Sequence, residues 1–392
     1  MKSDWKECTL AELGEIVGGA TPSTKDEQNY GGDIAWITPK DLSTLKGRFI
    51  SRGERNITEK GLRSCSAQIM PKNAVLFSSR APIGYVAIAA NPVCTNQGFK
   101  SIVANSDNDP MFLYYLLKYN KNAIEAMGSG TTFKEVSGST MRGIRVYVPI
   151  SKAEQQRIAA ILSALDEKIA TNREINDNLY AQAKAIFDNH FINIDAIPAG
   201  WRKGNLLDIA NYLNGLAMQK FRPQGHEIGL PVLKIKELRQ GSCDDSSELC
   251  SLSIKPEYII HNGDVVFSWS GSLLVDIWCG GTCGLNQHLF KVTSDVYDKW
   301  FYYLWTAHHL ARFIAIAADK ATTMGHIKRE ELAKAEVLIP CEEDYTSFNS
   351  IMQPIFELII SNRIESRKLA ALRDELLPKL MTGEIDVSDV QL

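Results

Sequence analysis

Polar loops in both halves of the chain carry the residues best suited to bind a ligand. Small hydroxyl side chains and glycines let a ligand approach the backbone closely, and basic side chains beside them supply charge. Such loops favour contacts with phosphates and base edges, and solvent-exposed turns are the alternative for any single loop. In the first half the candidates are Trp36, Thr38, Lys40, Ser78, Ser79, Arg80, Gly130, Thr131, Thr132 and Lys134. In the second half they are Lys234, Lys236, Ser268, Trp269, Ser270, Thr322, Thr323 and His326.

Motifs for catalysis and for cofactor binding are missing from the sequence. It has neither the Gly-x-Gly-x-x-Gly pattern of dinucleotide sites nor the Gly-x-x-x-x-Gly-Lys-Ser/Thr pattern of nucleotide phosphate loops. The closest cysteine pair, Cys279 and Cys283, has no second pair to complete a zinc site. We therefore expect no catalytic residue, no metal and no cofactor bound by this chain. Scattered thiols and the lack of a long apolar run predict a cytoplasmic protein with no membrane partner.

Charge is distributed unevenly along the 392 residues, whose formal net charge is -3. Residues 1–150 contain 18 basic and 14 acidic residues, whereas residues 341–392 contain 5 basic and 10 acidic residues. This balance permits nucleic-acid binding by one globular part but does not by itself support it.

A tandem repeat with an offset of about 190 residues organises the chain. The clearest matches are Ile34–Leu42 with Leu230–Leu238, Asn73–Ser78 with Gly263–Ser268, and Thr95–Gln97 with Leu285–Gln287. Within each repeat, short β-branched and aromatic runs predict strands, and longer runs predict helices. The predicted strands are Val75–Phe77, Gly84–Ala89, Ile144–Val148, Val265–Trp269 and Glu336–Ile339. The predicted helices are Met111–Ala126 and Trp300–Ala318.

Each repeat closes with a long helix. Ser151 and Glu154 have the spacing of a capping box, so the first helix is predicted to begin beside them and to extend to His190. Pro354 predicts that the second helix begins or kinks there, because proline removes a backbone donor from a helix interior. Pro378 and Gly383 predict its end.

The two long helices share an apolar seam at alternating steps of three and four residues. The seam includes Leu165, Ile169, Asn172 and Leu179 in the first helix, with Asn176 at the intervening step, and Ile355, Ile359, Asn362 and Leu369 in the second, with Ser366 at the intervening step. This spacing predicts that the helices pack antiparallel on each other. Asn172 and Asn362 are predicted to fix the register, with exposure on a drifting helix face as the alternative.

The order of these motifs resembles the specificity (S) subunit of type I restriction-modification systems over essentially the whole chain. The segments that carry the resemblance are Trp5–Ile16, Gly19–Ser23, Ile34–Leu42, Ser79–Gly84, Glu154–Leu162, Ala185–Phe191 and Leu376–Ile385. The second half departs from the pattern at two places. Leu216–Met218 stands where the first half has Thr21–Ser23, and Ser268–Ser270 replaces Ser78–Arg80.

The resemblance implies an α+β fold with two tandem mixed α/β target-recognition domains. Two long helices in an antiparallel coiled coil would separate them, giving a pseudo-twofold repeat. The expected boundaries are 1–151 for the first target-recognition domain, 152–191 for the central helix, 192–343 for the second domain, and 344–392 for the distal helix and tail.

The resemblance also implies a non-catalytic subunit in which each globular domain recognises one half of a bipartite double-stranded DNA site. The helical pair would set the spacing and recruit two methyltransferase (M) subunits, and restriction (R) subunits would join the complex. S-adenosylmethionine, ATP and Mg2+ would be bound by those partners. Two alternatives are a scaffold that holds partner subunits without recognising DNA, and an enzyme that acts alone.

Overall fold

A computed structural model describes residues 4–130, 134–319 and 326–391 of the chain. The chain divides into two compact units. Unit 1 comprises Met1–Ala170 and Leu369–Leu392, and unit 2 comprises Thr171–Lys368. Each unit therefore contains a segment of both long helices. Four candidate residues, Thr131, Thr132, Thr322 and Thr323, lie outside the described residues.

Unit 1 combines a twisted sheet with short helices. Its described strands are β1 (Trp5–Thr9), β2 (Gly14–Gly18), β3 (Tyr30–Ile34), β4 (Trp36–Ile37), β5 (Phe49–Ile50), β6 (Val75–Ser79), β7 (Ile83–Ala89), β8 (Cys94–Thr95), β9 (Lys100–Ala104) and β10 (Arg145–Pro149). Its described helices are α1 (Leu10–Leu13), α2 (Pro39–Ser43), α3 (Glu59–Arg63), α4 (Pro110–Tyr119), α5 (Lys121–Ala126), α6 (Gly138–Gly143) and the start of α7 (Lys152–Phe187). The main sheet has the order β2-β9-β6-β7-β5, β1 pairs with β10, and β4 pairs with β8.

The core of unit 1 lies between this sheet and α4. Asp109 caps α4 by accepting a 2.8 Å hydrogen bond from the backbone N of Phe112, and Pro110 occupies the first turn, where a missing donor costs nothing. The residues from Phe112 to Leu117 are buried. The single helix predicted for Met111–Ala126 is wrong in one respect, because α4 and α5 are separate helices with Asn120 between them.

Unit 2 repeats this plan. Its described strands are β11 (Arg202–Asn205), β12 (Asn211–Asn214), β13 (Leu230–Leu233), β14 (Leu249–Cys250), β15 (Ile259–Ile260), β16 (Val265–Ser268), β17 (Leu274–Ile277), β18 (Cys283–Leu285), β19 (Leu289–Thr293) and β20 (Glu336–Ile339). Its described helices are α8 (Leu206–Ile209), α9 (Ile235–Gln240), α10 (Lys299–Asp319), α11 (Arg329–Ala333) and most of α12 (Glu342–Met381). The sheets have the orders β12-β19-β16-β17 and β14-β13-β18-β15, and β11 pairs with β20.

Strand pairing confirms the two tandem mixed α/β units. The first strand of each unit pairs antiparallel with its last, since Trp5 lies opposite Pro149 and Arg202 lies opposite Ile339. The strand before α2 pairs parallel with β8, and the strand before α9 pairs parallel with β18. Strand β6 begins at Val75 and strand β16 begins at Val265, which is the same position of the sequence repeat. Each of them lies between two antiparallel neighbours in the main sheet of its unit.

The long helices are α7 with 36 residues and α12 with 40 residues. A π-helical turn at Asp188–Ile192 follows α7. Of the two alternatives predicted for Pro354, a start of the helix there is wrong, because α12 already begins at Glu342 and continues through the proline. Met352 and Phe356 flank Pro354 and are both buried, and their packing offsets the missing hydrogen bond. Within the described ranges, no helix combines the length and apolarity needed to cross a membrane.

The two long helices contact each other in both units and run antiparallel in unit 2. In unit 2, Asn172 donates to Glu365 at 2.7 Å, while Asn176, one turn further along α7, donates to the backbone O of Ile359 at 3.1 Å. In unit 1, Arg373 donates to Asp166 at 2.6 Å. As the residue number rises along α7, that of its partner on α12 falls, which confirms the predicted orientation.

Burial of the predicted seam is uneven. Asn172, Ile359 and Asn362 are buried, with Asn172 only 1% exposed. Leu165, Ile169, Leu179, Ile355 and Leu369 are half-buried. Both asparagines therefore lie inside the helix pair and not on a drifting exposed face.

Candidate nucleic-acid interface

The start of α2 forms one edge of the candidate interface in unit 1. Thr38 caps the helix, because its backbone N and its Oγ1 donate hydrogen bonds of 2.7 and 2.6 Å to the Asp41 carboxylate. Lys40 is exposed, with its Nζ 2.6 Å from the Glu54 carboxylate. The hydrogen bond to Glu54 raises the pKa of Lys40, so this side chain stays cationic at neutral pH. The helix start thus places a half-buried hydroxyl beside an exposed lysine–glutamate ion pair.

A turn after β8 places an amide group next to this helix start. The backbone N of Asn96 donates a 2.9 Å hydrogen bond to the backbone O of Ile37, which ends β4. The Asn96 side chain in turn accepts a 2.9 Å bond from the backbone N of Gly98. Gln97 is exposed at the tip of this turn, and Thr21 Oγ1 donates to its Oε1. A glutamine amide offers the donor and acceptor that match an adenine edge.

A small ion network continues the surface beyond Gln97. The backbone N of Ser79 donates a 2.8 Å hydrogen bond to the backbone O of Gly98, which brings the following residue, Arg80, close to the turn. Arg80 Nη1 and Lys100 Nζ each lie 3.5 Å from the Glu135 carboxylate. Two basic side chains thus share one acid, and a net positive charge remains.

Gly130 and Lys134 lie next to this network in sequence, and both are exposed. Ser129 and Glu135, which flank them, exchange backbone hydrogen bonds of 3.0 and 2.9 Å. A φ of +130° at Gly130 favours glycine there.

Three candidates of unit 1 are buried beneath the exposed loops. Trp36 is buried and donates a 3.0 Å hydrogen bond from Nε1 to the backbone O of Ala20. Ser78 is buried and closes its turn with a 2.8 Å bond from Oγ to the backbone O of Pro82. Ser79 is buried too, and its Oγ has no hydrogen-bond partner among the described residues. Among the described residues, the candidates of unit 1 that are exposed or half-buried around Gln97 are therefore Thr38, Lys40, Arg80, Gly130 and Lys134.

In unit 2, the start of α9 takes the place of the start of α2. The backbone N of Lys234 donates a 3.2 Å hydrogen bond to Glu237, which reproduces the bond from Thr38 to Asp41. Lys234 Nζ donates to Glu248, and Lys236 Nζ donates to Ser246 Oγ at 2.9 Å. Lys234 is half-buried and Lys236 is exposed.

His288 lies at the centre of the candidate surface in unit 2. Its backbone N donates a 3.3 Å hydrogen bond to Asn286 Oδ1, the counterpart of the bond from Gly98 to Asn96. Its Nδ1 lies 3.2 Å from Ser270 Oγ. Trp269 packs beside it, with the ring centroids 6.1 Å apart, and is fixed by a 2.9 Å bond from Nε1 to Asn214 Oδ1.

A groove of about 440 Å³ connects His288 to the start of α9. Its lining includes Gln219, Lys234, Lys236, Gln287 and His288. Donors and acceptors of several kinds thus converge on one concave surface, an arrangement able to bind base edges and phosphate oxygens.

The remaining candidates of unit 2 flank this groove. Ser268 is buried and donates a 3.0 Å hydrogen bond from Oγ to the backbone O of Ser272, as Ser78 does to Pro82 in unit 1. His326 is exposed, forms a bridge with the backbone of Ser270, and lies with its ring 6.2 Å from that of Trp269.

Comparison with known proteins identifies the family of this chain. A family model described as "Type I restriction modification DNA specificity domain" matches residues 2–181. The specificity subunit of the type I restriction enzyme MjaIX from Methanocaldococcus jannaschii is 35% identical, over 99% of this chain and 95% of the relative. The chain belongs to the type I restriction-modification specificity subunits. The specificity subunit of the Haemophilus influenzae enzyme HindI is 20% identical over 98% of this chain and 100% of its own length.

A solved structure supports the fold of this specificity subunit. The crystal structure of the type I restriction-modification S subunit from M. genitalium matches with a TM-score of 0.58 and covers 96% of both chains. The identity is 16%, so the match concerns the fold alone.

Sequence reasoning missed Gln97 and His288 in this specificity subunit. The repeated Asn-Gln at 96–97 and 286–287 was the available signal, because it occurs at the same place in both halves. Their place on the candidate surfaces becomes visible only in the fold, which brings distant segments of each unit together around them.

Proposed function

We propose that this protein recognises a bipartite double-stranded DNA sequence as the specificity subunit of a type I restriction-modification complex. Each unit binds one half of the site through the surface around Gln97 or His288. The long helices set the spacing between the halves and recruit two methyltransferase subunits, and restriction subunits join them. The protein itself acts through recognition, not through catalysis.

The observation that carries this proposal is a shared scaffold with different side chains at the same positions. The capped helix start, the Asn-Gln turn and the serine-closed hairpin recur in both units. On this scaffold Thr38 is replaced by Lys234, and Gly98 is replaced by His288. Hydrogen-bonding side chains that differ at matched positions can select different bases in the two half-sites.

The partner subunits supply the chemistry in this proposal. S-adenosylmethionine for adenine methylation, and ATP with Mg2+ for cleavage, would be bound by the methyltransferase and restriction subunits. The family membership of the chain supports this assignment. Among the described residues, no cluster of three or more histidine, cysteine or acidic side chains could hold a metal ion.

Substitution of one residue in each unit tests the proposal. Complexes with the methyltransferase subunit are prepared with Arg80→Ala or His288→Ala, and the sequences that they methylate are determined on a random library. Each variant should relax base preference in one half of the site only, by roughly 10- to 100-fold per base pair, and the two halves should differ. Arg145→Ala, which removes an exposed arginine paired with Glu7, is the matched control.

Three results would decide the matter. Relaxation of different halves by the two variants supports the proposal. If both variants keep the wild-type base preference while assembly and methylation stay intact, these surfaces do not recognise the DNA bases. Methylation by the wild-type complex with no sequence preference at all would favour a scaffold that does not recognise DNA.

A further inference from the structure

The segments that follow α2 and α9 correspond to each other in the sequence repeat but carry opposite charge. Residues 44–58, called here the basic loop, contain four basic residues and one acidic residue. Residues 241–255, called the acidic loop, contain one basic residue and three acidic residues. Both segments have the same length, and each contains one short strand, β5 or β14.

The basic loop lines an open groove next to the candidate interface of unit 1. This groove has a volume of about 580 Å³, and its lining includes Lys40, Lys46, Phe49, Arg52 and Glu54. Lys46, Phe49 and Arg52 are exposed. Because Lys40 also belongs to the helix start described above, the groove and the interface form one continuous surface.

Anchoring contacts hold the basic loop in place. Arg48 is buried, donates to Glu167 and donates a 3.3 Å hydrogen bond to the backbone O of Ser163 on α7. The backbone N of Glu54 donates a 2.7 Å bond to Asp41 on α2. Held at both places, the loop presents Lys46 and Arg52 without a large ordering cost, which favours binding.

Acids in the groove of unit 1 are engaged by their own neighbours. Asp41 accepts hydrogen bonds from the backbone N and Oγ1 of Thr38 and from the backbone N of Glu54. Glu54 is paired with Lys40 at 2.6 Å. Asp41 is thus held in the helix cap, Glu54 and Lys40 compensate each other, and Arg55, exposed with its guanidinium 4.1 Å from the ring centroid of Tyr30, adds a further positive charge.

The acidic loop of unit 2 places negative charge next to the lysines of α9. Glu248 accepts from both Lys234 and Arg222, and Asp244 lies 3.7 Å from Lys236 Nζ. Hydrogen bonds from Ser246 and Gln240 lower the pKa of Asp244 to about 2, so it is ionised at neutral pH. The lysines at the start of α9 are thus compensated by acids of the adjoining loop.

We propose that the basic loop of unit 1 is a DNA-phosphate-binding surface, and that unit 1 supplies most of the salt-dependent affinity while unit 2 contributes mainly base discrimination. This inference rests on the proposed function. Lysine and arginine side chains that neutralise phosphates release condensed counterions, and each contact steepens the fall of affinity with salt. The acidic loop would oppose that effect in unit 2.

The test measures DNA affinity against salt with the full chain in complex with its methyltransferase subunit. Labelled duplexes with and without the methylated sequence are titrated between 50 and 200 mM KCl. Three double variants are compared with wild type: Lys46→Ala with Arg52→Ala, Lys234→Ala with Lys236→Ala, and Lys6→Ala with Arg145→Ala. The last pair lies on the β1–β10 ribbon, outside the groove, and removes the same charge.

Loss of Lys46 and Arg52 should reduce the slope of log affinity against log salt by about 2 for both duplexes. The ratio of affinities at 50 and 200 mM should then shrink by about tenfold. The variant of Lys234 and Lys236 should change the slope by less than about 1. The control on the ribbon should leave the slope unchanged.

Several outcomes would overturn the inference. One is an unchanged slope in the basic-loop variant, and another is a larger change in the variant of Lys234 and Lys236. A third is loss of the methyltransferase subunit from the basic-loop variant on size exclusion, which would assign the loop to a protein partner. In each case sequence-specific methylation by the wild-type complex would leave the proposed function standing.

Discussion

Trp5 donates a 2.9 Å hydrogen bond from its indole Nε1 to the carboxylate of Glu154 in the first turn of α7. Trp201 makes the same contact in unit 2, with a 2.6 Å bond to Asp344 in the first turn of α12. Each bond joins the first strand of a unit, or the residue just before it, to the long helix that follows the unit. The bond from Trp201, together with one from Cys341, lowers the pKa of Asp344.

Trp5→Phe should loosen the β1–β10 ribbon without affecting β11–β20. Phenylalanine keeps most of the apolar contact but cannot donate to Glu154, so the opening free energy of the ribbon should fall by about 1–2 kcal/mol. Hydrogen exchange of the backbone amides in the two ribbons measures this change. Trp201→Phe is the matched control and should affect only β11–β20. Equal changes in both ribbons would show that the contacts are not local.

Asp166 is the centre of a polar cluster in unit 1, and its ionisation should make the stability of the protein depend on pH. Burial alone would raise its pKa, but hydrogen bonds from Tyr115 at 2.7 Å and from Arg373 at 2.6 Å outweigh burial and lower the pKa. The folded state therefore gains stability from the carboxylate above the unfolded-state pKa of about 3.9. That gain is lost as the pH falls through the lower folded-state value.

Asp166→Asn should lower the free energy of unfolding at pH 7 by about 2 kcal/mol. This is less than the loss for a fully buried pair, because the Arg373 side chain remains 20% exposed. Urea unfolding followed between pH 7 and 3 should show the two proteins converging at the acid end. Glu54→Gln, at the exposed pair with Lys40, is the control and should leave unfolding unchanged throughout. A constant difference at every pH would argue against an ionic origin.

Replacement of Asn172 and Asn362 together by leucine should weaken the register of the helix pair. Asn172 donates to Glu365 at 2.7 Å and to Ser366 at 3.3 Å, and Asn362 donates to Asn176 at 2.9 Å. These directional bonds fit one register only, whereas an apolar seam tolerates a shift by a heptad, about 10 Å.

Distances between spin labels on non-natural residues at Asn178 and Ser361, both exposed, report the register. The wild type should give one narrow distribution, and the double leucine variant should give a second population or a broad one. Leu179→Ala provides the comparison, because it weakens the apolar seam but keeps the asparagines. A single unchanged distance in the double variant would show that the apolar residues alone fix the register.

The helices and most strands could be predicted because their signals are local. Glu336–Ile339 is a strand with the predicted bounds, and α7 begins at Lys152, beside the proposed cap. The start of α12 could not be placed from Pro354, because the penalty of one missing donor is local whereas the packing that outweighs it is tertiary. Asn120 separates α4 from α5 for a related reason, since its side chain donates a 2.8 Å bond to the backbone O of Leu116 and ends the helix.

The candidate interface was harder to predict, because residue type does not reveal which polar side chains are exposed. Ser78 and Ser268 are buried, since each hydroxyl closes its own turn by bonding a backbone oxygen four residues ahead. Arg80 is positioned by a backbone hydrogen bond from Ser79 to Gly98, and no local sequence pattern predicts that bond. His288 gains its position from Ser270 and Asn286, and only the folded chain brings these residues together.

Lengthening both long helices together should change the spacing of the DNA target and not the bases recognised. The division between the units falls after Ala170 in α7 and after Lys368 in α12. Seven residues inserted at both places keep the seam in phase, and add about 10 Å of helix, or roughly three base pairs at about 3.4 Å each. The nonspecific spacer in the methylated sequence should grow accordingly, while both half-sites stay the same.

Insertion in α12 alone is the control for this experiment. It leaves seven residues without a partner on α7, so the variant should lose methylation and not acquire a new spacer. Sequencing of methylated adenines in cells that carry each variant, together with the partner genes, gives the readout. The inserted residues lie far in sequence from every loop of the candidate interfaces, so the half-site bases should stay the same. New half-site bases with the original spacer would contradict the proposal that helix length sets the distance between the half-sites.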